Sequence, residues 1–281
     1  MSLHRLLLLF VMINAVWCVE PTTHVFATRD SGPLSLDLYV PVTQRGPLIV
    51  NVHGGAWRSG SRAKPPCLAL VDAGYAVASV DYRLSPVAPF PAQALDIRAA
   101  IRFLRTQQEV LKIKANHIVL FGCSAGGHLA AVVGVSNGVT ELDHAPGDDA
   151  QTSSAVQGIV SYYGASNLTT ILAQSTPFGL SVREPALKLF LGGLPAEQPA
   201  LAQLASPCAH VDANDPPLLL LHGEQDPQMP INQSLEFASA YRLVGANVQF
   251  MSVPKAGHGG PLFFDAERLP ILLAFLASFE K

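Results

Sequence analysis

The stretch HIVLFGCSAGGHLAAVVGV, residues 117–135, decides the reading of this chain. Its first five residues, His117 to Phe121, have the apolar, β-branched character of a buried strand, and its last eight, His128 to Val135, read as a buried helix. Between them lies Gly122-Cys123-Ser124-Ala125-Gly126, a G-x-S-x-G at a strand-to-helix turn. Such a turn needs glycine on both sides, because strand and helix approach too closely for a Cβ, and its strained backbone pushes the serine hydroxyl outward. The positive end of the helix that follows favours developing negative charge. The five-residue pattern alone arises often by chance. Its strand and helix flanks mark Ser124 as a candidate nucleophile rather than part of a structural glycine turn.

Working outward, short apolar runs alternate with helical patterns, which argues for βαβ units and a parallel sheet. His24 to Thr28 and Leu34 to Val40 read as a first pair of strands around the turn Asp30-Ser31-Gly32-Pro33. Pro47 to Val52, Ala76 to Val80, Val156 to Tyr162, Pro217 to Leu221 and Val248 to Val253 read as further strands. A helix is predicted over Ala92 to Arg105, with Ile97, Ile101 and Leu104 on its buried face and Arg98, Arg102 and Arg105 more peripheral. A closing helix is predicted over Ala266 to Phe279. Residues 166–210 lack strand character and hold five prolines; they read as a small helical cap between two core strands. The fold class is α/β, a mostly parallel sheet flanked by helices.

In open α/β sheets ligands bind beyond the carboxyl ends of the strands, and four polar motifs here stand there. His53-Gly54-Gly55-Ala56-Trp57 follows an early strand, and its glycines leave backbone N–H groups uncovered. Gly54 and Gly55, with Ala125 after the serine, are the candidate donors to an oxyanion. Trp57 is the candidate substrate contact, and His53 reads as a structural hydrogen-bonding residue. A serine nucleophile needs a base, and the base needs an acid to orient it. Of the later histidines, His258 lies in a glycine-flanked loop after the last strand and can fold back over the serine. Asp226 follows its strand by a short loop, whereas Asp212 and Asp215 precede it; Glu224 is the alternative acid.

Apolar residues make up 49% of the 281 and charged residues 14%, enough for a large core and unlike a disordered chain. A formal net charge of −3 without a dense basic run gives no sign of a nucleic-acid partner. No His/Cys spacing suits zinc. Residues 1–18 pair a short polar start around Arg5 with the apolar run Leu6 to Ile13, the pattern of a signal peptide cleaved after Cys18 or Ala15. The expectation is a secreted or periplasmic protein without a stable membrane anchor. Cys67, Cys123 and Cys208 then remain, an odd number; a Cys67–Cys208 bridge stands as an alternative to three small buried side chains.

Taken together, HGGAWRSGSR (53–62), VDYRLSP (80–86), FPAQALDIRAAIRFLR (90–105), GCSAGGHLAA (122–131), PPLLLLHGEQDPQMP (216–230) and AGHGG (256–260) resemble the esterase/lipase branch of the α/β-hydrolase superfamily. Within it they are most similar to the BD-FAE-like group, named for bifunctional feruloyl and acetyl-xylan esterase activity. The resemblance implies a carboxylester hydrolase without a cofactor, with Ser124, Asp226 and His258 as triad and Gly54, Gly55 and Ala125 as oxyanion hole. Asp81, Tyr82, Arg83 and Asp96 fall on positions expected to be structural. The implied substrates are short acyl or aryl esters, including acetyl or feruloyl groups on polysaccharide. An arylformamidase-like or peptidase-like amide hydrolase uses the same triad. A non-catalytic binding module is the remaining alternative, though no triad member is missing here.

Overall fold

A computed structural model describes residues 19–280; the predicted leader, residues 1–18, lies outside them. The frame is an eight-stranded sheet in the order β1-β2-β4-β3-β5-β6-β7-β8. Strands β1 (Thr22–Arg29) and β2 (Gly32–Tyr39) form an antiparallel hairpin, and β2 pairs antiparallel with β4 (Val77–Val80). From there β3 (Leu48–Val52), β5 (Ile118–Cys123), β6 (Gly158–Tyr162), β7 (Leu218–Gly223) and β8 (Val248–Val253) extend the sheet in parallel with β4.

The central strands are covered on both faces, which is why they read as continuous apolar runs rather than alternating ones. In β5, Ile118 and Leu120 face the cluster built with α2 (Ala92–Thr106) and α4 (Ala125–Val135). Val119 and Phe121 face the opposite cluster, formed with α1 (Ala69–Asp72) and α9 (Leu269–Ala277). A one-residue shift of strand register would reverse this assignment, so the alternation fixes which side of the sheet each helix covers. Short α3 (Gln108–Leu111) follows α2, and α8 (Asn232–Leu243) packs Phe237 and Tyr241 on the far end of the sheet. Between β6 and β7 the chain is helical: α5 (Ile171–Gln174), α6 (Pro177–Leu191) and α7 (Pro199–Leu204). No helix of the described residues is long and apolar enough to cross a membrane.

Three features depart from the sequence reading. Helix α4 begins at Ala125, not His128, because Gly126 and Gly127 are its first turn. Helix α9 is shorter than predicted: the Asp265 carboxylate accepts the Glu267 and Arg268 amides and makes a turn of the residues before it. The arginines of α2 are not peripheral: Arg98 and Arg102 are buried. Arg98 donates to the Val133 and Ser136 carbonyls, the unpaired C-terminal end of α4, and to the hydroxyls of Ser136 and Ser154. Arg102 pairs with Asp143. All three described cysteines are free thiols. Cys67 belongs to the α1/α9 face and Cys208 packs beside the α8 cluster on the other, so the sheet stands between them and no bridge forms.

Candidate active site

Ser124 stands between β5 and α4 at φ 57°, a left-handed backbone that side chains avoid. The turn is tight because two glycines permit it. A Cβ on Gly122 would lie 2.2 Å from the Gly126 carbonyl oxygen, and one on Gly126 would lie 2.0 Å from that of Val52. The turn is tied to the sheet by the Ser124 N–H, which donates to the Tyr162 carbonyl at 2.9 Å. The hydroxyl thereby stands half-exposed at the carboxyl end of the central strands.

The loops after β7 and β8 meet it there. The Ser124 hydroxyl and His258 Nε2 are 2.8 Å apart, and His258 Nδ1 and Asp226 Oδ2 are 2.7 Å apart. Because the carboxylate only accepts, Nδ1 carries the proton and Nε2 is free to take one from serine. The Asp226 side chain is fully buried, and its other oxygen accepts the Gln228 and Met229 amides at 2.8 and 2.9 Å. Burial alone would raise its pKa. Hydrogen bonds from His222 and His258, the His258 charge and the Met229 amide outweigh that and hold it well below the usual carboxylate range. His222, fully buried at the end of β7, lies with Nε2 3.5 Å from Asp226 Oδ2. Its two nitrogens are fixed by Met229 O and Ser234 Oγ. Glu224 points elsewhere, accepting from Ser252.

The glycine loop after β3 lies against the serine: a Cβ on Gly54 would come within 2.9 Å of the Cys123 carbonyl and 3.6 Å of Ser124 Cβ. Gly55, Ala56 and Trp57 are all at positive φ, so the loop curls sharply. The amides of Gly54, Gly55 and Ala125 have no acceptor among the described residues. The residues after β4 brace this loop. Tyr82 stacks on His53 with ring centroids 4.2 Å apart and donates its hydroxyl to the His53 carbonyl; Asp81 pairs with Arg62; Arg83 pairs with Asp96. His53 itself turns inward to the Gly54 carbonyl.

Trp57 is not on the cavity surface. It is fully buried, stacked on Phe190 of α6 at 4.6 Å, and its indole N–H donates to His128 Nδ1 at 3.0 Å. Its role here is to lock the glycine loop to α4 and α6. The cavity in front of Ser124 has a volume of about 440 Å³ and is lined by Gly54, Gly55, Tyr163, Arg183, Gln228 and His258, among others. Tyr163 and Arg183 are wall residues that the sequence did not single out. Tyr163, at φ 41°, packs edge-on against the His258 ring at 4.9 Å. Arg183 reaches the site from α6. Nothing local in the sequence distinguishes either, since both act through partners far along the chain. Among the described residues no group of three His, Cys, Asp or Glu is placed to hold a metal ion.

The BD-FAE family model matches residues 36–241. The chain is similar to Esterase LipQ of Mycobacterium tuberculosis, 34% identical over 76% of this chain and 50% of LipQ. It thus spans about half the length of the curated relatives it matches. A carbohydrate esterase from gut microbiota superposes with a TM-score of 0.82 at 30% identity, covering 93% of this chain and 97% of that one. Esterase Est2 of the planctomycete Thermogutta terrifontis superposes at 0.73 with 26% identity, covering 92% of each chain.

Proposed function

The chain belongs to the BD-FAE family on the α/β-hydrolase fold, and on that premise we propose that it is a serine carboxylester hydrolase working through an acyl-enzyme on Ser124. The observation that carries this reading is the unbroken line Asp226–His258–Ser124 opening on a cavity beside three uncommitted amides.

Ser124 Oγ attacks the ester carbonyl carbon as its proton passes to His258 Nε2. The carbonyl oxygen becomes an oxyanion and takes the N–H groups of Gly54, Gly55 and Ala125. Asp226 holds the imidazole in the accepting tautomer and then stabilises the imidazolium. The intermediate collapses, the alcohol leaves with the proton from His258, and water repeats the sequence to release the acid. Every proton is carried by the chain's own groups, so the cycle as written needs no cofactor.

The substrates proposed are short acyl or aryl esters, including acetyl and feruloyl groups on polysaccharide. A carbohydrate esterase stands among the structural relatives, and the Thermogutta esterase is known with propionate and with butyrate bound. Export to the periplasm or medium is part of the proposal and rests on the pattern of residues 1–18; N-terminal sequencing of the mature protein tests it. Ser124→Ala is expected to abolish turnover of 4-nitrophenyl acetate and labelling by a fluorophosphonate, and retained turnover would sink the assignment. A panel of acetyl, feruloyl, longer-acyl and N-formyl substrates separates ester from formamide hydrolysis.

A further inference from the structure

The cavity beside Ser124 carries a cation that the ester cycle does not use. Arg183, on α6, is 4% exposed and lines the wall. Its Nη2 donates to the Gln228 carbonyl, its Nε has no acceptor, and no carboxylate lies within ion-pair distance among the described residues. Arg98 makes an instructive contrast. Its Nε is likewise without an acceptor, yet both of its terminal nitrogens are occupied, by Asn137, Ser154, Val133 and Ser136, whereas Arg183 has an acceptor at Nη2 alone. A guanidinium has five donors, and a buried one left short of acceptors is costly.

Burial lowers the Arg183 pKa to about 10, opposed by the charge of Asp226, so the group stays cationic at neutral pH. Asp226 does not need it as a partner, because its oxygens are already taken by His258 and two amides. A second arginine, Arg58, is exposed at the same cavity, and no Asp or Glu is among the lining residues.

Resting on the ester-hydrolase reading above, we propose that this cavity selects esters that carry a carboxylate. The carboxylate is taken by Arg183 at the wall, with Arg58 drawing it in from solvent. The planar guanidinium matches a carboxylate in charge and in geometry. A neutral ester leaves Arg183 as it stands here, short of acceptors.

The test compares mono-4-nitrophenyl succinate with its methyl ester, and 4-carboxyphenyl acetate with its methyl ester, so the charge lies on the acyl half or on the alcohol half. The wild-type enzyme is expected to favour the acid by kcat/KM in at least one pair, and added salt is expected to shrink that advantage. Arg183→Met is expected to lower the acid-to-ester ratio by about tenfold or more, the worth of a charged hydrogen bond, and Arg183→Lys to restore part of it. Preference for the methyl ester in both pairs, or a proportionate loss on acid and ester in Arg183→Met, overturns the proposal and leaves ester hydrolysis standing. If Arg183→Met does not fold, the wild-type ratio decides: a ratio indifferent to salt overturns the proposal. No turnover of any of the four overturns both readings.

Discussion

At Ser124 the chain accepts a left-handed backbone that costs roughly 1–2 kcal/mol for a residue with a Cβ, and the return is a hydroxyl held 2.8 Å from the imidazole without a flexible arm. The same economy governs Asp226. Its carboxylate is kept ionised by fixed donors rather than by solvent, so His258 has one tautomer available. Asp226→Asn preserves the shape but presents an amide that can donate to Nδ1, which turns the Nε2 proton toward the serine. The expected result is a kcat for 4-nitrophenyl acetate lower by about 10⁴-fold, with the fold intact by circular dichroism. A loss of less than about tenfold would mean that Asp226 does not orient the proposed base. His222 shares the carboxylate from behind, and as the last residue but one of β7, just before Gly223, it carries the position of the acid loop back into the sheet.

At the level of elements, the site is a meeting of loops that are braced by one another. Gly126 is the point where α4 passes against β3. In Gly126→Ala the new Cβ would meet the Val52 oxygen at 2.0 Å, and backbone rather than a flexible side chain must move. A stability loss of about 1–3 kcal/mol is expected from the urea midpoint, together with a fall in turnover as Ser124 shifts from His258. Unchanged activity would show that the turn tolerates more room than its contacts allow. A second brace is Asp96, fully buried on α2, which accepts from Arg83 and from Arg29. Asp96→Ala strands Arg83, while Arg29 keeps Asp148, and is expected to cost about 3–5 kcal/mol, measured by the same midpoint. The two braces differ in how far the sequence discloses them. The glycine spacing around Ser124, the apolar runs that end in His53, Ser124, Asp226 and His258, and the chain order of these residues are local patterns, so the sheet and the meeting of these side chains could be read directly. Trp57, Arg98 and Arg183 could not. Each is a residue type that usually sits at a surface or lines a pocket, and each is buried by partners 35 to 71 residues away: Arg98 by Val133, Arg183 by Gln228, Trp57 by His128. Separation of that kind leaves no periodic trace.

Across the whole molecule, the oxyanion loop, the nucleophile helix and the inserted helices are joined through one buried histidine. Trp57 donates to His128 Nδ1, so Nε2 carries the proton and donates to the Ala205 carbonyl at 2.7 Å. Both nitrogens are satisfied only in the neutral ring; protonation would set two donors, the indole N–H and Nδ1–H, against each other. Burial, with a smaller contribution from Arg183, lowers the His128 pKa to about 4 from an ordinary value near 6.5. The sign follows from proton linkage. Between those two values the unfolded chain binds the proton and the folded chain does not, so stability from this residue is complete above about pH 6.5 and is lost as pH falls toward 4. Each pH unit within the interval is worth up to roughly tenfold in the folding equilibrium. Asp215, whose carboxyl is pushed up to about 7 by burial, works in the opposite direction over the same range. The informative quantity is therefore the difference between wild type and His128→Gln, in which every other titration is shared. The variant is expected to be less stable at pH 8, where the Trp57 and Ala205 contacts are imperfectly replaced. The gap is expected to narrow steadily as urea midpoints are followed down to pH 4. A gap that stays constant over that range would show that His128 is not the neutral joint between the three segments.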